Sequence, residues 1–229
     1  MLDFDPRSLD LGRLFRDPDM FDSRADWDDA GFDVVARSSD SKIMVASHAS
    51  VPGVLFKKYT NEISLKEQIV NYERRIEGVR RLGKFIKERE LEHVVVPQKW
   101  LCELPSAFRS GKRKSHVLVV ERLDLLDEKE TIRRYRDIDE DMLEELCVVF
   151  YEFRGLDSTA DNVPFTTSGK IAFVDTEHWY RRRSKKRRKG KPPFRHLGKY
   201  LSSSRLELAE EIFEELEDED DDDEDGDES

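Results

Sequence analysis

The 229 residues are enough for one domain with its own core or for two small lobes. Hydrophobic residues make up 37% of the chain and charged residues 40%, and the formal net charge is −11. No apolar run approaches the roughly 20 residues that span a bilayer, and the N-terminus is too acidic for a signal peptide. We therefore expect a cytoplasmic protein without a membrane segment. Cys102 and Cys147 lack metal-ligand spacing, which favours two buried thiols in a reducing compartment.

The sequence of the first part of the chain predicts an N-terminal arm followed by three strands. Residues 1–31 are rich in Asp and Arg with scattered Leu and Phe, which indicates an N-terminal arm, either a short docking helix or a loose segment. Two β-branched runs, 32–38 and 42–48, are separated by a polar turn and predict a hairpin. Pro52-Gly53 then turns the chain into a third strand, 54–59.

A long helix and two further strands are predicted next. Ser64 is a typical N-cap with Glu67 three residues later. Apolar residues then recur at steps of three and four, as in an amphipathic helix: Ile69, Tyr72, Ile76, Val79, Leu82 and Ile86. The run 93–101 reads as a strand that reaches Pro97, 116–124 reads as a further strand, and Asp139 to Phe153 as a second amphipathic helix.

The last third contains a hairpin, a basic run and an acidic end. Strands at 163–166 and 170–175 flank the turn at Ser168-Gly169. A last helix begins near residue 203. Residues 214–229 are almost entirely Asp and Glu, so they cannot bury apolar area against chain entropy, and we expect a disordered acidic tail.

Three polar residues in this third have the spacing of a phosphoryl-transfer site. Asp157 is followed by Asn162 five residues later, the spacing found in the catalytic loop of protein kinases. The predicted hairpin then ends in Asp175-Thr176-Glu177, where kinases carry D-F-G. Asn162 and Asp175 supply the hard oxygens that magnesium prefers.

A lysine on the third strand is the candidate phosphate ligand. The strand VLFKKY is similar to the V-A-I-K element of kinases. Strand alternation puts Lys57 on the face of Leu55, so Lys57 is the preferred candidate and Lys58 the alternative.

The order of these elements resembles the protein-kinase superfamily over residues 32–180. The resemblance implies an α+β, two-lobed, protein-kinase-like fold, with an N-lobe-like part at 32–123 and a truncated C-lobe at 124–213. It implies ATP and Mg²⁺ as cofactors, with Mg²⁺ held by Asn162 and Asp175. It also implies that Asp157 is catalytic and positions the acceptor hydroxyl.

The same resemblance assigns the rest of the nucleotide site. Glu73 is the expected partner of Lys57, with Glu67 second. The backbone from Glu121 to Leu123 corresponds to the hinge that receives adenine.

Several positions depart from the kinase pattern. The turn 37–42 contains no glycine, and Gly155-Leu156 replaces the His-Arg pair before the catalytic Asp. Thr159 stands where many Ser/Thr-type kinases carry Lys. Too few residues follow Asp175 for the substrate-binding helices of a full kinase. The chain is in this respect similar to the minimal effector kinases that bacterial pathogens inject into host cells, and a pseudokinase scaffold is the alternative.

The basic run Arg181–Lys191 has nine Lys or Arg in eleven residues. Such runs are typical of nuclear-import signals and of segments that bind nucleic acids or other polyanions through phosphate contacts. An internal alternative is that the acidic tail masks the run. The run also occupies the position of an activation segment, where it would recruit an acidic protein substrate. The sequence thus predicts a kinase-like phosphotransferase acting on a protein, with a binding scaffold or a polyanion-associated protein as alternatives.

Overall fold

A computed structural model describes residues 5–15, 24–36, 43–59, 64–105, 116–179 and 196–224, which form a mixed α+β structure. The chain divides into two compact units. The first comprises Met1–Glu77 and Pro97–Leu123, and the second comprises Gly78–Val96 and Asp124–Ser229. Residues 78–96 therefore belong to the second unit, although the sequence analysis assigned them to the N-lobe-like part.

The first unit is built on a five-stranded antiparallel sheet, formed by β1 Phe32–Ala36, β2 Ile43–His48, β3 Val54–Tyr59, β5 Lys99–Glu103 and β6 His116–Glu121. The strand order is β1-β2-β3-β6-β5. The predicted hairpin and third strand are confirmed. The predicted strand that reaches Pro97 forms only as β4 Val94–Val95, in the second unit, and β5 beyond Pro97 is a separate strand. Pro97 has no N–H to donate to a sheet, which separates the two strands.

The described N-terminal residues pack into this unit through short helices, which agrees with the docking-helix alternative for the predicted arm and not with a loose segment. The short helices α1 (Leu11–Leu14) and α2 (Arg24–Asp29) bring Phe15 and Trp27 into contact with Phe32 of the sheet. Phe15 stacks on Phe32 of β1 with ring centroids 5.0 Å apart. Both Phe15 and Trp27 are fully buried, so their apolar area holds this segment against the sheet.

The long helix α3 spans Leu65–Glu88, and its predicted N-cap is confirmed, since Glu67 N–H donates to Ser64 Oγ at 3.3 Å. The division between the two units falls within α3, so 65–77 belongs to the first unit and 78–88 to the second. In the first unit, Tyr72 packs with Tyr59, Leu118 and Val120 of the five-stranded sheet.

The second unit has a largely helical core. Helices α4 (Glu128–Arg136) and α5 (Glu140–Glu152) are capped at their N-termini by the side chains of Asp127 and Asp139. The strand β7 (Ile171–Ala172) pairs in parallel with β4. The predicted hairpin is reduced to an isolated bridge between Phe165 and Ile171 and a neighbouring turn at Gly169. Gly169 has a φ of 91°, which favours glycine.

The last helix, α6 (Ser203–Glu224), extends into the stretch that we expected to be disordered. That expectation is wrong for residues 214–224. Phe213 is buried in the second unit, and Leu216 packs against the same core. Glu217 forms an ion pair with Arg154 at 3.5 Å. These contacts extend the helix past residue 213. None of the described helices is both long and apolar enough to cross a membrane.

Candidate functional site

A hydrogen-bonded loop in the second unit joins Asp157 to Asn162. The Asn162 amide Nδ2 donates to Asp157 Oδ2 at 3.0 Å. The backbone N–H groups of Asn162 and Val163 both donate to the Thr159 carbonyl, at 3.1 and 3.0 Å. The loop is therefore a tight turn, and the Asp157 carboxylate at its start is exposed. Because the amide nitrogen faces Asp157, the Asn162 side-chain oxygen is left to accept a donor or a cation.

Asp175 is brought to the same loop by the backbone. Val174 N–H donates to the Asn162 carbonyl at 3.0 Å, and Ala172 N–H donates to the Pro164 carbonyl at 2.8 Å. Asp175 follows Val174 directly, and its Oδ1 accepts from Glu177 N–H at 3.1 Å. The three residues that the sequence analysis selected in this third of the chain thus lie on two segments that are joined by hydrogen bonds.

Helix α4 is hydrogen-bonded to the end of this loop through two side chains, and it was not predicted from the sequence. Tyr135 OH donates to the Val163 carbonyl at 2.6 Å, and Thr131 Oγ1 accepts from Phe165 N–H at 3.4 Å. Both side chains are fully buried. Burial raises the pKa of the Tyr135 phenol, so it remains a protonated donor throughout the neutral range. The available signal was Asp127, which caps Glu130 N–H at 2.8 Å.

The candidate ligand atoms of this loop are carboxylate and amide oxygens, a ligand type that Mg²⁺ accepts. Within the described ranges, no group of three or more His, Cys, Asp or Glu side chains could hold a metal ion. Mg²⁺ usually binds to one or two carboxylates and takes its other ligands from substrate phosphates and water. The Asp175 carboxylate and the Asn162 amide oxygen match that smaller requirement.

The two neighbouring lysines of β3, in the first unit, have different surroundings. Lys58 is 1% exposed, and its Nζ donates to the His116 carbonyl at 2.7 Å and to Gln68 Oε1 at 3.4 Å. Lys57 is half-buried. A phosphate ligand must reach solvent, so Lys58 has a structural position and Lys57 remains the candidate.

Glu73 does not lie where the predicted pairing with Lys57 requires it. The residues of α3 that are buried in the first unit are Gln68, Tyr72 and Arg75, whereas Glu73 and Glu67 are exposed. With 3.6 residues per turn, a helix that buries Tyr72 and Arg75 turns Glu73 away from the sheet. The Arg75 guanidinium lies 5.7 Å from the centroid of the Tyr59 ring. The structure therefore does not support Glu73 as the orienting carboxylate.

The predicted hinge has one backbone donor to offer. Glu121 N–H donates to the Gln98 carbonyl at 2.8 Å, and Arg122 N–H donates to the Gly53 carbonyl at 3.0 Å. Leu123 N–H has no backbone acceptor among the described residues.

Two further parts of the prediction lie outside the described residues, namely the turn 37–42 and the basic run Arg181–Lys191. Both cysteines are buried and free, as expected. Burial raises the pKa of the Cys147 thiol, which keeps that thiol protonated and unreactive. Neither a scan against protein-family models nor a search of curated proteins gives a match to the chain.

Proposed function

We propose that this protein is an ATP- and Mg²⁺-dependent phosphotransferase with a two-lobed, protein-kinase-like fold and a truncated C-lobe. The observation that carries the proposal is the junction at Asn162. Its side chain bonds Asp157 at 3.0 Å and its carbonyl accepts from Val174, the residue before Asp175, at 3.0 Å. An acceptor-positioning carboxylate and two magnesium ligands are the groups that phosphoryl transfer needs at one place.

Each residue has a separate role in this proposal. Asp175 and Asn162 provide oxygen ligands to Mg²⁺, which supplies neutralising charge to the nucleotide phosphates when bound. Asp157 accepts a hydrogen bond from the attacking hydroxyl and orients it; Asn162 Nδ2 keeps that carboxylate in place. Lys57 contributes positive charge toward the phosphates, and the Leu123 N–H receives the adenine edge.

Thermal unfolding with and without ATP and Mg²⁺ tests the nucleotide site. A ligand that binds the folded state raises the melting temperature by mass action. We expect a magnesium-dependent rise for the wild type that is lost in Asp175→Ala. Asp161→Ala is the matched control, since Asp161 is an exposed carboxylate of the same loop. No rise for the wild type at millimolar ATP would remove the proposal.

Transfer itself is tested on Asp157. With a generic acceptor protein and radiolabelled ATP, Asp157→Ala should lose about 10²-fold or more in rate and still bind magnesium and ATP. The proposed phosphoryl acceptor is a protein, and the basic run Arg181–Lys191 would favour an acidic protein. Phosphoryl transfer at the wild-type rate by Asp157→Ala would contradict the catalytic assignment of Asp157.

A second candidate function is a pseudokinase scaffold that binds a partner without transferring phosphate. The exposed position of Glu73 favours it, because an active kinase needs a carboxylate to orient the phosphate-binding lysine. In this case the wild type shows no transfer at saturating ATP and Mg²⁺, and neutralising 181–191 abolishes partner binding. If the partner is a nucleic acid, its affinity falls steeply with salt.

A further inference from the structure

Helix α3 and the segment that follows Asp175 approach each other closely at Gly78, within the second unit. A β-carbon at Gly78 would overlap the Thr176 backbone oxygen, and it would lie 2.7 Å from Trp179 Cδ1 and 2.8 Å from Thr176 Cβ. Thr176 is fully buried. Close-packed interiors do not hold carbon atoms at such distances. Only glycine at position 78 allows this approach.

The helical conformation of α3 does not itself require glycine at position 78. Glycine in a helix interior is destabilising relative to alanine, so a helix of this length is better served by another residue. The second glycine of α3 provides a comparison, because a β-carbon at Gly83 would meet Val96 Cγ1 at 3.6 Å, an ordinary contact. The backbone of 176–179 therefore sets the requirement at Gly78 and not at Gly83.

A second contact holds the same segment. The Arg81 guanidinium lies 4.3 Å from the centroid of the Trp179 ring, within the range of a cation–π interaction. Arg81 lies three residues after Gly78, so both are on one side of the helix. On the other side of Asp175, Val174 N–H is bonded to the Asn162 carbonyl. Asp175 thus lies between two points at which the chain is held.

We propose that Gly78 is a positioning residue for the magnesium ligand Asp175, an inference that rests on the proposed function. A side chain at position 78 must displace Thr176 from the helix. Because Thr176 follows Asp175 directly, the displacement changes the position of the Asp175 carboxylate relative to Asn162. A misplacement of about 1 Å can cost a site 10²-fold in rate, so we expect one added methyl group to impair the site.

The test compares Gly78→Ala with Gly83→Ala by calorimetric titration of ATP, first in EDTA and then in Mg²⁺. Both variants make the same substitution in one helix. We expect equal ATP affinity in EDTA for the wild type and both variants, because the nucleotide contacts are unchanged. The gain in affinity on adding Mg²⁺ should fall about tenfold or more in Gly78→Ala only. A full magnesium gain in Gly78→Ala would overturn the inference.

Hydrogen exchange of the amides at 175–179 gives a readout that needs no nucleotide. Faster exchange in Gly78→Ala than in Gly83→Ala supports the positioning of residues 175–179 by Gly78 even if the wild type binds no ATP, an outcome that removes the proposed function and the magnesium role of Asp175 with it. Equal exchange overturns the role of Gly78. If Gly78→Ala does not fold, Arg81→Gln replaces it, since this change removes charge above Trp179 without adding atoms. Unchanged exchange and an unchanged magnesium gain in Arg81→Gln would then refute the inference.

Discussion

At the scale of single residues, Lys57 and Lys58 show how adjacent side chains of one strand take different tasks. Lys58 is enclosed and donates to the His116 carbonyl at 2.7 Å, whereas Lys57 is half-buried on the face of Leu55. Strand alternation predicts that the two point in opposite directions, and it favoured Lys57. It does not reveal that an ammonium group at position 58 is buried, because hydrogen-bond acceptors far along the chain make that burial tolerable.

Alanine substitution of each lysine should distinguish an effect on folding stability from an effect on ATP binding. Lys58→Ala should lower the free energy of unfolding by about 2–4 kcal/mol, because it leaves a cavity and removes the hydrogen bond from Lys58 Nζ to the His116 carbonyl. Lys57→Ala should lower it by about 1 kcal/mol or less and should weaken ATP binding. Urea unfolding of both variants measures the difference. Equal stability losses would show that Lys58 has no special structural role.

Tyr135 provides a second test at this scale. Tyr135→Phe removes one buried hydroxyl and leaves the Val163 carbonyl without its donor, which should cost about 1–2 kcal/mol in unfolding free energy. Tyr200→Phe is the matched control, since Tyr200 is half-buried and no hydrogen bond of its hydroxyl is found in the described part of the chain. Guanidinium unfolding monitored by circular dichroism should detect the loss in Tyr135→Phe alone. Similar losses in both variants would contradict a supporting role for Tyr135 under the loop.

At the scale of elements, local sequence signals predicted some parts and could not predict others. The β1–β2 hairpin, the Ser64 cap and most of α5 follow from alternation, capping and periodicity, which act over a few residues. Helix α4 was missed because six of its nine residues are charged and only Thr131 and Tyr135 are buried. The parallel pairing of β4 with β7 was also missed, since a two-residue strand gains its stability from a partner 77 residues away.

The exposed position of Glu73 could not be predicted from the apolar pattern alone. The apolar stripe of α3 indicates the direction of the buried face only to within about one residue. Tyr72 and Arg75 lie on that face, and Glu73 beside them does not. Arg75 is buried although it is charged, so a count of apolar residues leaves out one of the positions that define the face.

The start of β4 depends on a carboxylate from another element. Glu145 of α5 accepts from Glu92 N–H at 2.9 Å, from His93 N–H at 2.7 Å and from His93 Nδ1 at 2.9 Å. Glu145→Ala leaves two backbone donors without a charged acceptor, and we expect a loss of about 2–3 kcal/mol in unfolding free energy. Glu144→Ala, an exposed neighbour on the same helix, is the control. Thermal unfolding of the two variants should differ clearly, and matching curves would show that Glu145 is not needed to anchor β4.

At the scale of the whole molecule, three buried acidic groups keep their protons on folding. Burial raises the pKa of Tyr72, Tyr135 and Cys147 above the usual values of 10.0 for tyrosine and 9.0 for cysteine. Tyr72 lies in the first unit and the other two in the second. In the unfolded chain these groups lose their protons at their usual pKa values, whereas the folded chain retains them.

This difference predicts that the protein loses stability in alkali. The folded state binds more protons than the unfolded state above pH about 9–10, so unfolding is favoured as pH rises. Each retained proton steepens the loss by about 1.4 kcal/mol per pH unit. Below the usual pKa values the contribution is fully present and does not vary with pH. Urea unfolding of the wild type and of Tyr72→Phe/Tyr135→Phe between pH 8 and pH 11 measures the slope. The double variant should be less stable at pH 8 and should lose less stability above pH 10; parallel pH profiles would show that neither phenol retains its proton on folding.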